Sequence, residues 1–258
     1  MPSKHSLFLL AHQDDEFGVF GEIERRLSLN DRVSVVYLTS GTLTGSPSDK
    51  RDLESLCVLQ KLGVMAEDVH FLGRQFAVPD GRLVDYLEAS LAQLVDLCAR
   101  IGVPDDLYVL AWEGGHQDHD AAHLIGLACK RVWGSKISCR QFPLYSGQKL
   151  PSVLFRLFAP LKENGPVESY RLSWSQRLRF MVFCWMYPSQ IKTWIGLFPF
   201  LMFHYVFWGT QQFQQVDFAR VSAPPHQGYV LYHRRGFYSQ HDFAAVAKPF
   251  IDAHIALS

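Results

Sequence analysis

The stretch LFLLAHQDDEFGVFGEIERRL, residues 7–27, sets an apolar run, Leu7 to Ala11, directly against a histidine and three acids: His12, Asp14, Asp15 and Glu16. A short continuous apolar run reads as a strand buried on both faces, here Ser6–Ala11. Val19, Phe20, Ile23 and Leu27 then recur at helical spacing, so Gly18–Leu29 reads as an amphipathic helix. A buried strand running straight into a helix is the opening unit of a parallel α/β sheet. The acids between them repel one another, so something positive must sit nearby.

Working outward, the first half keeps this rhythm. Arg32–Thr39 is β-branched and strand-like, Lys50–Leu62 is helical with Gly63 as its C-cap, and Val69–Leu72 is a short strand. Arg82–Ile101 reads as a long amphipathic helix ended by Gly102, Leu107–Trp112 as a buried strand and Ala121–Val132 as a helix. The expected class is α/β, a mostly parallel sheet with helices on both faces. The last hundred residues are aromatic and poorly periodic. Within them Tyr229–His233 reads as a late strand and Phe243–Ile255 as a final helix. We expect one domain over residues 1–258. Residues 1–145 form the core, and 146–258 form an aromatic-rich C-terminal extension carrying substrate-side or interface elements.

Composition excludes several classes. Hydrophobic residues make up 48 % of 258, enough for a sizeable core. Lys+Arg and Asp+Glu balance at 25 each, which argues against a nucleic-acid binder while leaving room for a local basic patch, His233-Arg234-Arg235. The five cysteines are scattered without a CxxC pair and read as reduced core residues of a cytosolic protein. The N-terminal apolar run is too short for a signal peptide, so a cytoplasmic location is expected, with peripheral contact at the inner membrane face open.

Two strand ends carry the chemistry: His12-Gln13-Asp14-Asp15-Glu16, and Gly114–His123, GGHQDHDAAH. Sites in open α/β sheets form outside the carboxyl ends of strands. A catalytic zinc takes three nitrogen or oxygen ligands and keeps an open position. His12, Asp15 and His119 can supply the three. Asp14 then remains as general base, and His116 can face the developing oxyanion. Other readings exist. Asp14 and Asp15 could simply complement a helix dipole, worth under about 1 kcal/mol. Asp118 or Asp120 could be an N-cap. His119 and His123, four apart, could chelate by themselves.

At these residues the chain resembles the PIG-L/LmbE-like de-N-acetylase family, whose signatures are Ala-His-Pro-Asp-Asp-Glu and His-Pro-Asp-His. Here they stand as Ala11-His12-Gln13-Asp14-Asp15-Glu16 and His116-Gln117-Asp118-His119. The resemblance implies a Rossmann-like sheet and zinc or another divalent metal on His12, Asp15 and His119, with Asp14 and His116 catalytic. It implies hydrolysis of an N-acetyl group on an N-acetylglucosamine-type amino sugar, free or lipid- or carrier-linked, with a glycolipid or glycan-assembly pathway as one setting. Weaker matches place Arg51, in Arg51-Asp52-Leu53-Glu54, and Asp80, in Asp80-Gly81-Arg82-Leu83, on the sugar. Tyr187-Pro188-Ser189-Gln190 brings Gln190 there too. Both family prolines are glutamine, Gln13 and Gln117, which loosens the backbone at each histidine. A hydrolase of another amide or ester, and a non-catalytic sugar- or lipid-binding module retaining the metal, are the alternatives. A spare carboxylate such as Asp14 argues against the module.

The run 191–209, IKTWIGLFPFLMFHYVFWG, approaches the length of a membrane span but contains Lys192, Pro199 and His204. It could be a buried or dimer-forming element, a membrane-surface element or a span. Tyr170–Arg179 brings three arginines, either as a solvated helix face or to meet carrier phosphates.

Overall fold

In the computed structural model, which describes residues 3–44 and 49–256, the apolar opening run is strand β1 (His5–Leu10), buried from Ser6 onward. The chain continues through α1 (Phe20–Ser28), β2 (Arg32–Tyr37), α2 (Asp49–Leu62), β3 (Val69–Phe71), α3 (Leu72–Gln75) and α4 (Leu87–Ile101). It then forms β4 (Asp106–Leu110), α5 (Gln117–Trp133), β5 (Ser138–Phe142) and a small hairpin, β6 (Tyr145–Ser146) with β7 (Arg156–Leu157). The C-terminal part adds β8 (Val167–Arg171), α6 (Trp174–Cys184), α7 (Ile191–Phe207), β9 (Thr210–Gln215), α8 (Leu231–Arg234) and α9 (Gln240–His254).

The main sheet has seven strands in the order β3-β2-β1-β4-β5-β9-β8. The first five are parallel, with Phe8 paired to both Val35 and Tyr108, and β9 and β8 close the edge antiparallel. From β1 the chain moves outward to β2 and β3, then returns to the other side of β1 as β4. The ends of β1 and β4 are thus adjacent at the point where strand order reverses, the position at which α/β sheets bind ligands.

Some expectations shift. The helix expected from Gly18 begins at Phe20, because Asp15–Gly18 wind a 3-10 turn first. That expected over Arg82–Ile101 is a 3-10 turn, Leu83–Tyr86, followed by α4. Helix α5 starts at Gln117, four residues before the expected start, with His116 rather than Asp118 or Asp120 as N-cap. The late strand expected over Tyr229–His233 does not form. The Leu231 amide donates to the Gly114 carbonyl at 2.8 Å, and the chain turns into α8 there. Strand β9, TQQFQQ, carries none of the apolar signal of a buried strand apart from Phe213. Its buried Gln214 donates its side-chain amide to the Leu161 and Gly165 carbonyls.

The Tyr170–Arg179 segment is the end of β8 and the start of α6. Arg177 is buried and donates to the Leu172 and Tyr205 carbonyls, and Arg179 pairs with Glu24, so neither is available to a phosphate. Among the described residues no helix is long and apolar enough to cross a membrane, so 191–209 is not a span.

Candidate active site

Chain direction changes abruptly after β1. Asp14 adopts φ 123°, rare for a residue with a side chain, and its carboxyl lies 3.5 Å from the Arg51 guanidinium. The backbone N–H groups of Ala11 and His12 donate to Asp15 Oδ2 at 3.1 and 2.7 Å. Asp15 Oδ1 faces His119 Nε2 at 3.2 Å. After β4 the turn is made by two glycines. Gly114 has φ +69°, and a Cβ on Gly115 would fall 2.0 Å from the Tyr145 carbonyl oxygen, so no larger residue fits there.

Ring nitrogens of His12, His116 and His119 lie within 4.8 Å of one another, as do ligand atoms of His12, Asp80 and Asp118. Asp118 organises this cluster. Its carboxylate meets His12 Nε2 at 2.9 Å and accepts from the Gly81 and Leu83 amides at 2.5 and 2.9 Å. Its own amide donates to His116 Nδ1 at 3.2 Å. With Nε2 held by Asp118, the His12 Nδ1 lone pair is left on the Asp15 side, 3.5 Å from Oδ2. A carboxylate behind a histidine is the usual support of a ligand imidazole.

Charge is lopsided here. Burial alone would lower the His12 pKa, but the carboxylates of Asp80, Asp15 and Asp118 outweigh it and hold the pKa well above the usual histidine value. Burial would raise the Asp15 carboxyl, yet His119 and His12 hold it well below the usual range. Asp80, also opposed by burial, is lowered by His12. Burial pushes Asp14 up to about 8 against the pull of Arg51. It brings His116 down to about 4, with His12 adding to the effect, so that ring is neutral. Four carboxylates, two buried nitrogen donors and an unpartnered His119 Nδ1 suit a divalent cation better than a proton. The residues present therefore fit a metal.

Arg51 sits between the acids. It donates to the Gly41 and Gln13 carbonyls at 2.7 and 2.8 Å and lies 3.5 Å from Asp14 and 3.4 Å from Asp80. Both glutamines that replace family prolines are tethered by side chain. Gln13 donates to Asp52 at 2.8 Å and Gln117 to the Gly81 carbonyl at 3.2 Å. The looseness expected from losing proline is thus countered by new hydrogen bonds. The late fragments also converge. Tyr187 donates to Glu16 at 2.8 Å, and both the amide and the hydroxyl of Ser189 donate to Glu54, which brings Gln190 to the site.

All eight residues singled out by sequence, namely His12, Asp14, Asp15, Arg51, Asp80, His116, His119 and Gln190, line one cavity of about 410 Å³. His123 does not. Its Nδ1 lies 2.8 Å from the Leu110 carbonyl, so a His119–His123 chelate is not formed. Sequence reasoning did not assign Tyr145, Phe155, Arg235 and Phe237, which close the cavity from the C-terminal part. Arg235 stood in the basic triplet His233-Arg234-Arg235. Arg234 instead donates to the Gly147 and Leu150 carbonyls.

Residues 7–130 match the family described as PIG-L, GlcNAc-PI de-N-acetylase. No curated protein matches the chain. Among solved structures, the A40926 pseudoaglycone deacetylase is similar with a TM-score of 0.62 and 18 % identity, over 84 % of this chain and 98 % of that one. A deacetylase of the teicoplanin biosynthesis pathway gives 0.61 and 17 %, over 83 % and 99 %. The N,N'-diacetylchitobiose deacetylase of Pyrococcus horikoshii gives 0.52 and 18 %, over 84 % of each chain. Identities this low speak to the shared fold. The family match begins within β1, ends within α5 and includes both motif clusters; over these residues, just under half of its length, the chain is similar to the PIG-L de-N-acetylases.

Proposed function

We propose that this chain removes the N-acetyl group from an N-acetylglucosamine-type amino sugar, releasing acetate and the free amine, with a divalent cation, zinc by preference, held by His12, Asp15 and His119. One observation carries the reading. Two motifs at neighbouring strand ends converge on one cavity, and a further carboxylate, Asp14, stays beside the ligand set. A purely structural metal site has no use for that extra group. The deacetylase relatives support the same chemistry.

A cation at this position supplies Lewis acidity and makes water nucleophilic near neutral pH. The chain does the rest. Asp14, steered by its left-handed backbone, accepts the proton of the attacking water in its ionised form, which Arg51 favours against burial. His116 accepts the Asp118 amide at Nδ1, so its neutral ring carries the proton on Nε2. That N–H donates to the oxyanion as the carbonyl becomes tetrahedral. Asp14, now protonated, delivers its proton to the departing amine. Arg51, Asp80 and Gln190, which line the same cavity, would bind sugar hydroxyls.

The test pairs elemental analysis of the purified protein with mass-spectrometric detection of acetate and free amine from a panel of N-acetyl amino sugars. Simple esters serve as the comparison. Ester cleavage without acetate release from any amino sugar would sink the reading.

A further inference from the structure

Helices α6 and α7 form a hairpin whose inner face is already packed. On α7, Trp194, Leu201, His204 and Tyr205 are buried, and Trp194 packs against Phe17 of the active-site turn. The outer face is as apolar as the inner one. On α6 and at its C-cap, Trp174, Leu178, Val182 and Trp185 recur at spacings of a single helix face and are 46–62 % exposed. On α7 and just beyond it, Ile195, Met202, Val206, Phe207 and Trp208 are 43–64 % exposed. A contiguous surface of this kind is uncommon on a monomer in water and marks an interaction face.

Charge identifies the partner. No Asp or Glu occurs between Glu168 and Asp217, a segment containing both helices. Arg171 and Lys192 in that segment, and Arg156 across the adjoining groove, are exposed and have no carboxylate partner among the described residues. A second copy packed two-fold on this face would set the same cations against themselves with no acid in the segment to answer them. An anionic lipid surface answers them and takes up the apolar side chains at once. Trp174, Trp185 and Trp208 are the residue type that settles at the headgroup level.

The face is continuous with the catalytic cavity. Lys192, Thr193, Gly196 and Leu197 of α7 line that cavity. Beside it an apolar groove of about 640 Å³ runs between the β6–β7 segment and α7, and Phe155 lines both. From these observations we infer that the α6–α7 hairpin docks the enzyme flat on an anionic membrane surface, with the cavity mouth opening next to the lipid. Docking stands on the surface alone. Its use, delivery of an amphipathic amino sugar from the lipid phase, rests on the de-N-acetylase reading.

The experiment is co-sedimentation of the full chain with vesicles of phosphatidylcholine alone and of equal parts phosphatidylcholine and phosphatidylglycerol, at low and high salt. The wild type pellets with the anionic vesicles, and high salt weakens this. The double variant Ile195→Glu/Phe207→Glu, at two exposed positions outside the cavity lining, loses at least about tenfold in vesicle partition. An unchanged thermal melt by circular dichroism shows that the variant is folded. Turnover is not part of the readout, so failure of the proposed reaction leaves this test intact. Absence of sedimentation with anionic vesicles overturns the inference. So does equal binding to both vesicle types, or a vesicle-free dimer that the same variant disperses.

Discussion

His12 and Asp118 are 106 positions apart in the chain, and their side chains meet at 2.9 Å. This contact joins the end of β1 to the start of α5, orients the imidazole and, through the Gly81 and Leu83 amides, pins the loop bearing Asp80. Asp118→Asn should therefore weaken cation affinity by about 10–100-fold without removing any proposed ligand. Metal titration of the apo-protein checks this, and unchanged affinity would show that Asp118 only caps the loop.

Asp14→Asn should keep the cation and lose turnover by about 10²–10⁴-fold, as expected when a general base is removed. Asparagine tolerates the left-handed backbone that Asp14 adopts, so the fold should persist. His119→Ala should instead lose the cation. Elemental analysis beside acetate release separates the two behaviours, and full metal content in His119→Ala would break the ligand set.

Glu113, behind the site, accepts from the Leu144 and Tyr145 amides at 2.8 Å each while its other oxygen is buried without a partner. Burial pushes it up to about 8 from 4.5. A carboxyl raised in the folded state favours folding when protonated. Its contribution is therefore best below its unfolded value and is lost as pH rises toward about 8. Glu113→Gln keeps an acceptor for both amides and removes the ionisation. The stability difference between variant and wild type should grow in the variant's favour from pH 4.5 to 8, measured by urea denaturation. A pH-independent difference would mean that Glu113 is not the titrating group.

Gln117→Pro restores the family residue at the first position of α5, where proline is accommodated. His116 already has φ −132° and ψ 141°, the region a residue before proline prefers. The variant should fold with stability within about 1 kcal/mol of wild type, since it loses one side-chain hydrogen bond to Gly81. KM should rise more than kcat falls, because that bond positions the Asp80 loop rather than the reacting groups. Steady-state kinetics decides, and a collapse of kcat at unchanged KM would contradict it.

The buried strands of the parallel core were legible because strands covered on both faces appear as unbroken apolar runs, as in Leu7–Ala11 and Leu107–Trp112. The C-terminal part was not. In β9 the buried glutamines disguise a strand, and around Val230 a short apolar run fits helix and strand alike. Arg177 looked like surface charge because a sequence does not show which carbonyls a folded chain will offer it.

The family resemblance implied Arg51, Asp80 and Gln190; from residue type and spacing alone came the sheet class, the two loaded strand ends and five residues that line the cavity, His12, Asp14, Asp15, His116 and His119. These follow from local periodicity and from the chemistry of adjacent side chains. Only the tertiary structure determined that His123 turns away, that Asp118 stands behind His12, and that Tyr145 and Arg235 close the cavity. Each depends on where separate segments meet in space, and strand order sets that through contacts between residues far apart in the chain.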